Sequence, residues 1–165
     1  MRMPRFTVYA KESGVEIAPC EKKQQGKPDE GRISLRFFRL TSGAHQIRFV
    51  AEPWEAFDLH RRINLIQHDG GKETLTHKFD AGEGEVVTKL SVECYQRNGK
   101  KGYAFTIQRG EESINVAAPL GEFLFAAEFL RSLSVSQSWV ESTDTSRSSA
   151  GRAGFSAEPP LSRKG

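Results

Sequence analysis

The same order of extended and helical segments occurs twice along this chain of 165 residues, and that repetition constrains the fold more than any other feature. The strand-like runs of the first half are residues 6–10, 15–18, 33–40 and 46–50. A helix then begins at Pro53 and extends to about residue 67. The runs of the second half are residues 75–79, 85–97, 103–108 and 113–117, and a helix follows from Pro119 to about residue 133. This order predicts an α+β fold in which antiparallel β-sheet packs against helices.

Short breaker motifs predict where these segments end. Asn98 and Gly99 form the strongest short hairpin signal known, since both residues tolerate positive φ. Proline is tolerated at the first helical position, as at Pro53, and the glycines at 70 and 71 predict the end of that helix. Further turns are predicted at Ser13-Gly14 and at residues 41–44.

Both predicted helices carry more apolar surface than one core needs. In the first helix, Trp54, Phe57 and Leu65 lie roughly opposite a stripe formed by Ala56, Leu59, Ile63 and Ile66. The second helix is apolar almost all round, because its residues 123–133 include only a narrow polar strip. We interpret this as a homo-oligomer interface, in a dimer or tetramer, with contacts from Phe125, Phe129 and Leu133. The alternative is that the sheet and the first helix cover the second helix completely.

Composition divides the chain into a domain and a tail. Residues 141–165 are rich in Ser, Gly, Arg and Pro and offer almost nothing to bury, so we predict a disordered tail after a domain of residues 1–140. The first residues lack the apolar stretch of a secretory signal, and no apolar run approaches the roughly 20 residues that span a membrane. A cytoplasmic protein is therefore expected.

Charge and aromatic residues alternate along three of the predicted strands. Lys and Arg total 24 against 21 Asp and Glu, a net charge of +3, so a polyanion would bind only where the cations are concentrated. Alternate side chains of a strand share one face, so Ile33, Leu35 and Phe37 of one strand, and residues 90, 92 and 94 of another, are expected on the core side. We expect phosphate contacts from Arg32, Arg36, Arg48, Arg97, Lys100 and Lys101. We expect base stacking from Phe38, Tyr95 and Tyr103. If a β-bulge turns Phe38 into the core, Phe37 becomes the stacking ring instead. The alternative interpretation of the whole surface is an ordinary solvated sheet face without a ligand.

Motifs of catalysis and metal binding are missing from the sequence. There is no phosphate-binding loop, the four histidines have no metal-ligand spacing, and no Ser, Cys or Thr lies in a nucleophile motif. Cys20 and Cys94 fit no redox or metal spacing and are expected to be plain thiols. We therefore predict a binding protein rather than an enzyme, with no metal and no cofactor. A protein–protein adaptor and an enzyme with a dispersed site are the alternatives.

Three segments resemble the ThermoDBP and ThermoDBP-related archaeal single-stranded DNA-binding proteins. They are residues 32–40, the helix entry at residues 53–57, and the hairpin at residues 95–103, and the resemblance covers about residues 5–135. It implies an α+β DNA-binding domain, a basic and aromatic cleft on the sheet, self-association, and single-stranded DNA as the ligand, with RNA as a second candidate. The chain has no heptad region after Trp139, unlike ThermoDBP itself, so the resemblance points to the related proteins. The Whirly and PC4 single-stranded DNA binders are the next nearest resemblance and imply the same ligand.

Overall fold

A computed structural model describes residues 1–41 and 45–142, which form two four-stranded antiparallel sheets and two helices. The first sheet contains β1 (Phe6–Tyr9), β2 (Ser13–Lys22), β3 (Glu30–Arg39) and β4 (Gln46–Ala51). The second contains β5 (Gly71–Asp80), β6 (Glu85–Arg97), β7 (Lys100–Arg109) and β8 (Glu112–Ala118). Helix α1 (Pro53–Asp69) follows the first sheet and α2 (Leu120–Ser136) the second. The predicted α+β class and the repeated order are confirmed. Of the predicted disordered tail, residues 141–165, residues 143–165 lie outside the described part of the chain, whereas the Glu141 N–H donates to the Asp29 carbonyl at 2.7 Å.

In each sheet, strands that follow one another in the chain are also hydrogen-bonded neighbours. The two halves therefore form two separate sheets. Their inward sides and the buried stripes of both helices build one hydrophobic core. The inward residues predicted for β3 and β6 are confirmed, since Ile33, Leu35 and Phe37 are buried, as are residues 90, 92 and 94.

One predicted turn is confirmed by the structure and another is wrong. Asn98 and Gly99 have φ values of 53° and 77°, so the β6–β7 hairpin closes with two residues and pairs Arg97 with Lys100. The turn predicted at Ser13-Gly14 is wrong, because the chain turns earlier and the Ala10 N–H donates to the Ser13 carbonyl. Gly14 lies within β2 opposite Phe38, where a Cβ atom would collide with the phenyl ring. The glycine is there for close approach rather than for a turn. The turn that joins β3 to β4 includes residues 42–44, which lie outside the described part of the chain.

Helix α1 begins and ends as its local chemistry predicts. Pro53 stands in its first turn, and Glu55 accepts a hydrogen bond of 3.0 Å from the Glu52 N–H as half of a capping box. Gly70, with φ 80°, donates to the Ile66 carbonyl and ends the helix. Neither helix among the described residues is long and apolar enough to cross a membrane.

The chain after α2 returns to the first sheet. Trp139 accepts a hydrogen bond of 3.0 Å from the Gly31 N–H, and Val140 forms a bridge with Glu30. The Gln137 side chain donates to the backbone carbonyls of Cys20 and Arg32 at 2.8 and 2.9 Å. This segment therefore continues the first sheet beside the start of β3, where β4 does not reach.

Candidate nucleic-acid interface

The predicted binding residues divide between the two sheets, and most of them lie on the outer faces, the sides that point away from the core. Arg32, Arg36, Phe38 and Arg48 belong to the first sheet, because Arg36 pairs with Arg48 across β3 and β4. The remaining predicted residues belong to the β6–β7 hairpin of the second sheet. The single basic and aromatic face expected from the strands is thus two faces, and their chemistry differs.

The outer face of the second sheet, called here the second-sheet face, is organised in transverse rows. Residues paired directly across antiparallel strands point to the same side. One row crosses all four strands with small polar side chains: Thr74, Ser91, Thr106 and Asn115. Within it the Thr74 and Ser91 hydroxyls are hydrogen-bonded at 2.9 Å, and the Asn115 amide donates to the Thr106 hydroxyl at 2.7 Å. The row forms a polar floor, which we call the hydroxyl row.

Positive side chains surround the hydroxyl row. Their register places five of them on the second-sheet face: Lys72, Lys78, Lys89, Arg97 and Lys100. Each is exposed, and within the described residues none forms an ion pair. The Glu93 carboxylate lies directly opposite Lys72 without forming an ion pair, and Asp80 and Glu85 lie at the turn end of the β5–β6 hairpin. Uncompensated cations on an open face attract a polyanion.

Tyr95 supplies an aromatic ring to this face. It lies directly opposite Gly102, and its ring occupies the space that a Cβ atom at Gly102 would need. The Cζ atom of Arg97 lies 5.8 Å from the ring centroid, a cation–π contact. The glycine thus gives the ring room to lie against the sheet. A half-exposed ring beside a cation is suited to stack on an unpaired base.

The outer face of the first sheet is similar in composition, but one of its two accessible strand arginines, Arg36, is paired with a carboxylate. Arg36 contacts Glu16 at 3.4 Å and donates to the Gln46 side chain at 3.0 Å. Its Cζ atom also lies 4.8 Å from the centroid of the Phe38 ring. Arg48 donates to the Ser34 hydroxyl at 2.7 Å and has no carboxylate partner among the described residues. This face is therefore a weaker attractor of a polyanion than the second-sheet face.

Two predicted contacts are corrected by their burial. Arg32 is only 9% exposed, and its guanidinium is held by the Glu30 carboxylate and the Gly31 carbonyl, both at 2.8 Å, so it is not free for phosphate. Tyr103 is 7% exposed and packs on Phe123 with ring centroids 5.1 Å apart. The reason lies in the hairpin register, because a two-residue turn after Arg97 pairs Tyr103 with inward-facing Cys94.

One further predicted residue is accessible but faces away from Tyr95, and three cations of the second-sheet face were not predicted. Lys101 is exposed at the tip of the hairpin, but it pairs with Gln96 and so lies on the opposite side from Tyr95. The site prediction omitted Lys72, Lys78 and Lys89. Pairing β5 with β6 from the Asp80–Glu85 end would have found the first two, but β5 has a weak apolar pattern and its bounds were predicted too short.

The surface of the helices carries exposed aromatic residues. Phe125 is 53% exposed, and the rings of Phe6 and Phe129 lie 4.7 and 6.3 Å from it. Leu133, however, is 3% exposed and belongs to the core, so its predicted interface role is corrected. Trp54, at 64%, is exposed on α1. The helical layer thus has an uncovered apolar surface, although strand β1 covers part of α2.

Within residues 1–41 and 45–142, no cluster of three or more His, Cys, Asp or Glu side chains is placed to hold a metal ion. Burial raises the pKa of the Cys20 thiol, while nearby Arg48 and Arg32 oppose that shift. A raised pKa keeps a thiol protonated and poorly nucleophilic. The site is therefore built from cations, hydroxyl groups and an aromatic ring.

No protein-family model and no curated protein sequence matches the chain. Solved structures do resemble it. The plant transcriptional regulator PBF-2 has a TM-score of 0.63 and 16% identity, over 93% of this chain and 91% of that chain. WHY1 from Arabidopsis thaliana has a TM-score of 0.57 and 15% identity, over 83% and 92%. At these identities the likeness concerns the fold. The chain therefore shares its fold with plant Whirly proteins, the second resemblance stated above, whereas the ThermoDBP resemblance stays a prediction.

Proposed function

We propose that this protein binds single-stranded nucleic acid, with DNA as the first candidate, through the second-sheet face and with little dependence on sequence. The observation that carries the proposal is the set of five exposed cations without ion-pair partners around Tyr95 and the hydroxyl row. It is proposed as a binding protein and not as an enzyme. The shared fold supports the proposal, since PBF-2 is described as a transcriptional regulator and the Whirly resemblance implies this ligand.

The cations account for affinity. Lysine and arginine neutralise phosphates and release condensed counterions, which makes binding strong and dependent on salt. Lys89 and Arg97 lie eight residues apart on β6, which corresponds to about 27 Å of strand. The positive surface is therefore long enough to follow several phosphates.

The ring and the hydroxyl row account for the preference for single strands. A duplex hides the faces of its bases, whereas an unpaired base can stack on Tyr95. The hydroxyls of Thr74 and Thr106 are accessible and can donate or accept, so they can adapt to the edges of different bases. Both features favour binding that tolerates any sequence.

We also propose a homo-oligomer that buries the helical layer. Phe125 on α2 and Trp54 on α1 are exposed aromatic residues on elements that otherwise face the core. Changing Phe125 to Glu would place an unpaired charge in such an interface, which is strongly unfavourable. Multi-angle light scattering at micromolar concentration tests this: a monomeric wild-type protein would exclude the oligomer, and an assembly insensitive to Phe125→Glu would exclude α2 as its interface.

The binding proposal is tested by titrating the protein with oligo-dT, an RNA oligonucleotide and duplex DNA of equal length. We expect tight binding of the single strands, weak binding of the duplex, and loss of affinity in Lys89→Ala. The matched control is Lys27→Ala, because Lys27 lies exposed in the β2–β3 loop, away from both sheet faces. If neither single strand binds, or both variants bind alike, the second-sheet face is not the site, and the protein–protein adaptor becomes the favoured function.

A further inference from the structure

A separate groove lies on the outer face of the first sheet. It encloses about 750 Å³, within the range of small-molecule sites. Its floor includes the small side chains of Ala18 and Ser34, which pair across β2 and β3. The N-terminal segment, residues 1–5, and the docked Trp139 contribute to its lining. The walls of the groove thus come from parts of the chain that are far apart in sequence.

The lining of the groove carries an excess of positive charge. Its cations are Arg2, Arg5, Lys23, Arg36 and Arg48, and its carboxylates are Glu16 and Glu21. Glu16 is shared between Arg5 at 3.3 Å and Arg36 at 3.4 Å, and Glu21 contacts Lys23 at 3.1 Å. Arg2 and Arg48 have no carboxylate partner in the described ranges. An anion would therefore complete the charge balance of the groove.

Arg48 is the centre of this imbalance. It lies directly opposite Arg36, and like charges in directly paired positions destabilise a sheet. Its Nε atom is held by the Ser34 hydroxyl at 2.7 Å, which orients the guanidinium and leaves its terminal nitrogens available. A guanidinium so placed matches the oxygens of a phosphate group, and Arg36, its direct partner across the strands, adds a second positive charge.

We propose that this groove binds the phosphomonoester of a nucleotide, with the phosphate on Arg48 and Arg36 and the base against the apolar lining. That lining includes Pro19 and Trp139, and an indole ring is a suitable partner for a flat base. The ligand is either a free nucleotide or the phosphorylated end of a strand. This inference goes beyond strand binding on the second-sheet face, and the two sites use different residues on different sheets.

The test is isothermal titration calorimetry with thymidine 5′-monophosphate, using thymidine as the control ligand. We expect one nucleotide per protomer, no detectable thymidine binding, and about tenfold or greater weakening in Arg48→Ala, because hydrogen bonds to charged groups contribute at that level. Arg48→Lys keeps the charge, loses the paired donors and should give an intermediate loss. Lys27→Ala, in the β2–β3 loop and outside the groove lining, is the matched control and should bind the nucleotide normally. Absence of nucleotide binding, or equal binding by Arg48→Ala, overturns the proposal.

The source of the phosphate is distinguished by comparing oligo-dT with and without a 5′-phosphate. A gain in affinity that disappears in Arg48→Ala identifies a strand end as the ligand, and nucleotide binding without that gain identifies free nucleotides. Oligo-dT that lacks the phosphate reports on the second-sheet face alone. Failure of the groove and failure of strand binding therefore give different results.

Discussion

Replacing Lys89 by alanine should flatten the salt dependence of single-strand binding by a predictable amount. Each phosphate contact contributes about 0.7 to the slope of log affinity against log salt for single strands. The five cations without ion-pair partners on the second-sheet face therefore predict a slope of about −3.5. Affinity should then fall roughly 100-fold between about 50 and 200 mM salt. Lys89→Ala should bring the slope to about −2.8.

Two further variants separate charge from stacking in the same assay. Tyr95→Ala should weaken oligo-dT binding by about 1–3 kcal/mol and leave the slope unchanged, since a stacked ring releases no counterion. Arg36→Ala should leave the affinity and the salt slope almost unchanged for a strand without a 5′-phosphate, because Glu16 already compensates Arg36. Fluorescence anisotropy at four or more salt concentrations measures the wild type and all three variants. The reasoning is refuted if Lys89→Ala keeps the wild-type slope, or if Arg36→Ala lowers the slope as much as Lys89→Ala should.

Three other predictions concern stability. Tyr103→Ala should cost about 3–5 kcal/mol of unfolding free energy, by loss of its packing on Phe123, and urea denaturation that shows no loss would contradict its place in the core. Truncation after Ser136 should lower the melting temperature, because it removes the docked segment of residues 137–141. Truncation after residue 142 keeps that segment and should leave the melting temperature unchanged. Equal melting temperatures for the two truncated proteins in scanning calorimetry would rule out a stabilising role for the segment. Burial raises the pKa of Asp58, but its bonds to Arg62 and Arg61 outweigh burial and lower it overall. The stability that Asp58 contributes is thus present above its unfolded pKa and lost as the pH falls through the folded value. Asp58→Asn should flatten the acid limb of the pH–stability curve, and an unchanged limb would count against this.

Local chemistry was enough to predict most of the elements. The bounds of β6 were predicted correctly, because an alternating apolar pattern ends at Asn98-Gly99. The end of helix α1 was predicted to within two residues. Its limits depend on the backbone preferences of Pro53 and Gly70 themselves, which the sequence shows directly. The prediction of a turn at Ser13-Gly14 is wrong, because Gly14 does not serve as a turn residue there. Its lack of a side chain makes room for Phe38 from another strand.

The candidate site was predicted less well, for a reason that concerns pairing. Tyr95, Arg97 and Lys100 were placed correctly on one face, because one strand and its tight turn decide their relation. The inward position of Tyr103 follows from the same register. Counting residues from the two-residue turn places Tyr103 opposite Cys94, which faces the core. Arg32 could not have been excluded in this way, since its burial depends on Glu30 and on the chain that returns after α2.

By itself, the sequence determined the repeated order of strands and helices, the inward faces of β3 and β6, and the tight hairpin, because these depend on side-chain period and local backbone preference. Only the tertiary structure decided that the strands form two sheets, so that cations expected on one face lie on two. It also decided which of those cations are compensated: Arg36 meets Glu16 across the first sheet, whereas Lys78 and Lys89 have no carboxylate opposite them on the second. Charge compensation depends on distances between segments far apart in the chain, and no pattern within a single segment contains them.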